Sequence, residues 1–228
     1  MIPLSIATAA YLAQLSLLLW VAYSDAQFHR YTAAKAVTSA GFLLVALLAR
    51  LIGPRTMGPR FWLLFSAMVL CAAGDVLLGL ANNGKGVHSK TFLKGLVCFG
   101  LAHVVFCAFY AAKTPPGWYD LLLPLALLGI TMALSKRGLL RLKKLKRPAF
   151  CYCFLVGLMC SMAVSSVVVA GFRGPANLFA AAGSILFLLS DCIIIFLYFY
   201  IRQNRWMRFA NLTAYYLGLL LLALSAAF

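Results

Sequence analysis

Asp75 and Asp191 stand where an aspartate is expensive. The first lies in CAAGDVLLGL at residues 71–80 and the second in FLLSDCIIIF at residues 187–196, both inside apolar runs long enough to cross a bilayer as helices. A central aspartate costs roughly 2.5 to 3.5 kcal/mol on insertion scales, so a chain that keeps two of them has a use for them. Two carboxylates in one low-dielectric site separate in acidity: desolvation and the partner's charge keep one protonated while the other stays ionised. The result is an acid beside a base. That pairing suits acid-catalysed hydrolysis through an oxocarbenium-like state, one carboxyl donating a proton and the other stabilising the cation or directing water. The plainer alternative is that each aspartate caps a neighbouring helix or pairs with a buried lysine.

Other polar residues lie in comparable places. His103 shares a helical face with Phe99, Gly100 and Tyr110; alone it reads as a satisfied bundle histidine, and its neighbours make it a site candidate. Tyr215 and Tyr216 in NLTAYYLGLL fit an interfacial aromatic belt, yet Asn211, Tyr215 and Gly218 share a face several residues inside the span. Lys35 reads either as a snorkelling topology charge or as a grip on a lipid phosphate. Ser190 precedes Asp191 without any GxSxG context, which argues against a serine nucleophile. The seven cysteines lie in apolar spans without paired CxxC spacing and read as small buried hydrophobes, and His29, His88 and His103 are far apart, so the sequence offers no zinc site.

The elements that must position these groups are transmembrane helices. Of 228 residues, 64% are hydrophobic and 11% charged, which excludes a water-soluble domain and gives an all-α, polytopic membrane protein. Runs broken by charge, Gly or Pro predict a single transmembrane domain over 1–228, with spans at about 3–23, 36–52, 61–80, 95–112, 119–135, 149–171, 177–201 and 209–227. The first of these reads as a retained helix rather than a cleaved signal.

A net charge of +16, with no Glu and only Asp25, Asp75, Asp120 and Asp191 as acids, is read as loop charge facing anionic lipid headgroups rather than nucleic acid. The loops after the odd-numbered spans hold 2, 3, 7 and 3 Lys and Arg, fifteen of the twenty. The positive-inside rule then expects those loops in the cytoplasm and both termini outside. The strongest anchor, KRGLLRLKKLKRP at 136–148, reads as a topology signal touching anionic lipid.

With that arrangement Asp75, Asp191, His103, Tyr215, Lys35 and Asp25 all fall in the same half of the membrane, as a cavity open to the cytoplasm requires. Ala72, Asp75 and Gly79 share one face of the third span, and Ala180, Ser184, Phe187 and Asp191 share one face of the seventh. The aspartates occupy the third helix of each four-helix half, which allows a parallel 4+4 repeat.

The ordered segments AAGDVLLGL (72–80), KGLVCFGLAHVVFCAFY (94–110), GSILFLLSDCIIIF (183–196) and TAYYLGLLLLALS (213–225) resemble the YhhN-like lysoplasmalogenase family. YTAAKAVTSAGFLLVAL at 31–47 is similar to that family's second-helix lysine segment. The resemblance implies an eight-helix membrane hydrolase that cleaves the vinyl ether bond of a membrane lysophospholipid, the lysoplasmalogen, to a fatty aldehyde and glycerophosphocholine or glycerophosphoethanolamine. It implies catalytic roles for Asp75 and Asp191 and substrate-binding roles for Lys35, His103, Tyr215 and Tyr216, with no metal or organic cofactor.

Two departures stand out: Ala36 follows the lysine where a proline is common, and Gly218 stands where a glutamine often follows the tyrosines. The expected membrane is the endoplasmic reticulum in a eukaryote or the inner membrane in a bacterium. The competing class is a proton- or cation-coupled transporter using the same aspartates, against which stand few Gly or Pro breaks in the spans; a non-catalytic lipid-binding homologue is the third reading. Oligomeric state has no signature in the sequence.

Overall fold

Each of the eight apolar runs forms one long helix. The computed structural model describes residues 2–53, 57–86, 89–200 and 205–228, and His88 lies outside them. The helices are α1 Ile2–Tyr23, α2 Tyr31–Ile52, α3 Arg60–Leu80, α4 Lys90–Ala111, α5 Leu122–Lys136, α6 Lys146–Val169, α7 Pro175–Phe199 and α8 Arg205–Leu224. Short 3-10 turns extend several of them, and among the described residues eight helical segments are long and apolar enough to span a membrane. Among the described residues there is no strand, only one antiparallel bridge between Leu140 and Tyr200.

Local chemistry sets the ends. Pro175 opens α7 directly after Gly174, which takes φ +82°, and the Ser89 hydroxyl caps α4 by accepting from the Phe92 amide. Helix α6 closes on Gly171 at φ +61°, with the Phe172 amide bonded back to the Val167 carbonyl, the left-handed stop that glycine permits. Helix α2 begins five residues before the hydropathy boundary, so Lys35 sits inside its second turn rather than at its start. Polar Thr32 and Lys35 lower the hydropathy there, but both side chains find partners in the bundle.

Packing repeats with a four-helix period. Helix α1 packs on α2, α2 on α3 and α3 on α4, matched by α5 on α6, α6 on α7 and α7 on α8. The halves are joined in equivalent places by α2 with α8 and α6 with α4, and α1 also packs on α8. Helices α7 and α8 approach through Gly183 and Gly218: a Cβ on Gly218 would lie 2.8 Å from the Gly183 carbonyl oxygen, and one on Gly183 2.6 Å from that of Gly218. Gly218 therefore faces its neighbouring helix, and the glutamine expected at that position has no room here. The outer surface is apolar, with Leu44, Trp62, Val97 and Leu125 among its exposed side chains, as a lipid-facing surface must be.

Candidate functional site

Helices α2 and α8 aim polar side chains at Asp75 on α3. Its Oδ1 lies 2.8 Å from the Lys35 ammonium on α2. Its Oδ2 accepts from Ser39 at 2.7 Å, one helical turn beyond Lys35 on the same face, and from Tyr215 at 2.9 Å and Tyr216 at 3.3 Å on α8. Lys35 is 5% exposed and Asp75 wholly buried, so the pair is a desolvated ion pair, with three hydroxyls on the other carboxyl oxygen. Tyr216 is itself fixed from α1, where the Tyr11 hydroxyl donates to its carbonyl oxygen at 2.7 Å. The carboxyl group of Asp75 is thus the acceptor at the centre of a cluster of one ammonium and three hydroxyls.

Asp191 has a different shell. His103 Nε2 on α4 lies 3.1 Å from Asp191 Oδ2, and α6 brings Tyr152 alongside, its ring packed on that of His103. Among the described residues no lysine or arginine pairs with it. His103 is fully buried, clamped by the rings of Phe187 at 5.0 Å and Tyr152 at 5.1 Å, and its Nδ1 has no hydrogen-bond partner among the described residues. Nearby, Asn211 Nδ2 donates to the Ser190 carbonyl at 2.8 Å and to its hydroxyl at 2.9 Å, tying α8 to the turn of α7 that carries Asp191.

The two shells are related by the four-helix period. Each aspartate, on the third helix of its half, is met by the second helix of the same half, through Lys35 or Tyr152. It is also met by the fourth helix of the other half, through Tyr215 and Tyr216 or through His103. Phe187 sits between them, packed edge-on against both Tyr215 and His103.

Asp75 and Asp191 open onto one cavity of about 710 Å³ of empty space. Lys35, Tyr215, Ser190 and Asn211 share its wall, and the rest is largely apolar, with Phe92, Phe99, Leu145 and Phe199 among its lining side chains. The structure therefore brings Lys35, Asp75, Asp191 and Tyr215 to a common surface. His103 and Tyr216 stand behind it, each holding an aspartate rather than lining the cavity. Asp25 lies in the turn Asp25–Arg30 and is not part of the wall.

Ser39 and Tyr152 carry no mark of a site in the sequence, and Asn211 shows there only as a neighbour of Tyr215 on one helical face. Ser39 could be found as the residue four beyond Lys35. Tyr152, in CYC within an apolar run, has no local signal. Leu145 comes from the basic segment read as a topology anchor, which folds back so that the Arg141 amide donates to the Phe199 carbonyl at 2.8 Å.

The sequence profile of the YhhN family matches residues 31–226, from the start of α2 into the turn that follows α8. Comparison with curated proteins and with solved structures returned no match. A match over that much of the chain, covering all of the residues gathered at the cavity, makes this protein a member of the YhhN family.

Proposed function

We propose that this protein hydrolyses the vinyl ether bond of lysoplasmalogens within the membrane, releasing a fatty aldehyde and glycerophosphocholine or glycerophosphoethanolamine. The observation that carries the reading is the unequal shell of two carboxyl groups on one apolar cavity: a cation and three hydroxyls on Asp75, a histidine and a tyrosine on Asp191. A single acyl-like chain fits an apolar lining, and its reacting end meets an acid and a base.

Asp191 is the proton donor. The vinyl ether takes its proton at the carbon β to oxygen, the C=C π bond supplying the electron pair, and the remaining cation is an oxocarbenium shared between carbon and oxygen. Asp75, paired with Lys35, faces that cation and stabilises it. Water adds to the oxocarbenium carbon and returns a proton to Asp191, and the hemiacetal collapses to aldehyde and alcohol. One water is consumed and the acid is regenerated, so water is the only co-reactant the chemistry needs.

His103 and Tyr152 position the donor, and Ser39, Tyr215 and Tyr216 position the stabiliser. The family membership supports the reading because the resemblance that implies this activity covers the same helices.

Purified protein should release aldehyde from a lysoplasmalogen, and the reaction run in heavy water with immediate reduction of the product should place one deuterium on the carbon next to the aldehyde carbon. Aldehyde without that deuterium would refute protonation at carbon. A failure to release aldehyde, with proton flux across liposomes instead, would move the protein to the transporter class.

A further inference from the structure

The aspartate cavity leaves the substrate phosphate without a cation, because the one ammonium on its wall, Lys35, is engaged at 2.8 Å by Asp75. In a lysoplasmalogen the vinyl ether oxygen and the phosphate are separated by the glycerol backbone, so the phosphate must lie beside the reacting centre and not on it. A second, more open cavity shares Leu145 with the first. It is walled by Lys90 and Leu93 of α4 and by Lys143, Lys144, Leu145 and Pro148 of the segment leading into α6. Leu145 lines both cavities, and the neighbours Phe92 and Ala149 line the first while Leu93 and Pro148 line the second.

The lysines are held there by a built loop. The Arg141 amide bonded to Phe199 and the Leu140–Tyr200 bridge pin residues 140 and 141 to the end of α7. Buried Leu142 and Leu145 anchor either side of the turn, which forces Lys143 and Lys144 outward between them. Lys143 adopts φ +45°, a left-handed conformation that is unfavourable for a non-glycine residue and persists where surrounding contacts impose it. None of the three lysines forms an ion pair among the described residues, where both salt bridges hold the aspartates of the first cavity.

We propose that Lys90, Lys143 and Lys144 form the phosphate-binding mouth of the site, gripping the phosphodiester of a single-chain lipid whose ether bond lies between Asp75 and Asp191. The assignment rests on the lysophospholipid reading above. It gives the basic segment at 136–148 a recognition role in addition to charge at the membrane surface, and it leaves Lys35 to hold Asp75.

The test is binding of a non-cleavable ligand to the full-length protein in neutral detergent. A 1-O-alkyl glycerophosphoethanolamine is compared with the 1-O-alkylglycerol of the same chain length, which lacks only the phosphate headgroup. The wild type should favour the phospholipid by roughly tenfold or more, the effect of a few lysines near an anion. K143Q/K144Q and K90Q should each shrink that preference while leaving alkylglycerol binding unchanged.

Equal binding of the two ligands to wild type would overturn the proposal, as would equal loss of both in the variants. Displacement of the probe by an equimolar diacyl phosphatidylglycerol would assign the lysines to bilayer lipid and also overturn it. Phosphate preference in a protein that releases no aldehyde from lysoplasmalogen would support the mouth and defeat the hydrolase reading, so the two failures are separable.

Discussion

Replacing Asp75 by Asn removes one charge of a buried ion pair and leaves the other. Lys35 then keeps a full positive charge at 5% exposure, with no other carboxylate paired to it among the described residues. Breaking such a pair from one side costs about 3–5 kcal/mol in soluble proteins. At about 3 kcal/mol, and about 2–4 °C per kcal/mol for a chain of this size, Asp75→Asn should lower the melting temperature by about 6–12 °C.

Adding Lys35→Met removes the stranded charge while the introduced amide oxygen still accepts from Ser39 and Tyr215, so the double variant should recover to within about 1 kcal/mol of wild type. Neither variant should release aldehyde, because the stabilising carboxylate is gone from both. Heating the purified variants and following the monodisperse peak by tryptophan fluorescence measures the cycle. An Asp75→Asn protein as stable as wild type, or a double variant less stable than the single, would refute the assignment of Lys35 and Asp75 as one desolvated pair.

Three further outcomes follow from the same contacts. Tyr215→Phe deletes one hydroxyl from the Asp75 shell, and kcat should fall about tenfold with KM changed less than kcat, since that hydroxyl tunes the stabiliser and does not grip the lipid. Gly218→Ala drives a methyl group to 2.8 Å from the Gly183 carbonyl, and the melting temperature should fall by the equivalent of about 1–3 kcal/mol, whereas Gly129→Ala, whose site is open, should not lower it. Glycosylation tags fused beyond Met1 and Phe228 should both be modified, the outcome that the positive-inside reading of the loop charges expects; an unmodified tag at either end would refute that orientation.

Much of this architecture is legible because a membrane span writes itself in hydropathy. The eight runs are long, apolar and bounded by charge, Gly or Pro, and each forms one helix. The depth argument also brings Lys35, Asp75, Asp191 and Tyr215 toward one end of the bundle, since position along a helix converts directly into height. Rotation about each helix axis is what the sequence does not convey. Hydropathy does not say that Tyr152 turns toward Asp191 while His103 stands behind it, because both lie among residues apolar on every side.

Lys35 illustrates the same gap. At helical depth it suits a lipid phosphate as well as a carboxylate, and only the packing of α2 on α3 decides that its ammonium meets Asp75. The basic segment at 136–148 reads by charge alone, and its return onto the end of α7 depends on Leu140, Leu142 and Leu145 finding buried places that no local pattern announces.

The central claim is that Asp191 delivers the proton that cleaves the vinyl ether, and Asp191→Asn tests it most directly. Asn keeps the size and can still hydrogen-bond to His103, and Asp191 has no lysine or arginine partner among the described residues to strand, so the variant should purify as a monodisperse protein. Aldehyde released from lysoplasmalogen per folded molecule should drop by roughly a hundredfold or more, with the matching ester lysolipid left intact by wild type and variant alike. Turnover near the wild-type rate in folded Asp191→Asn would contradict the account.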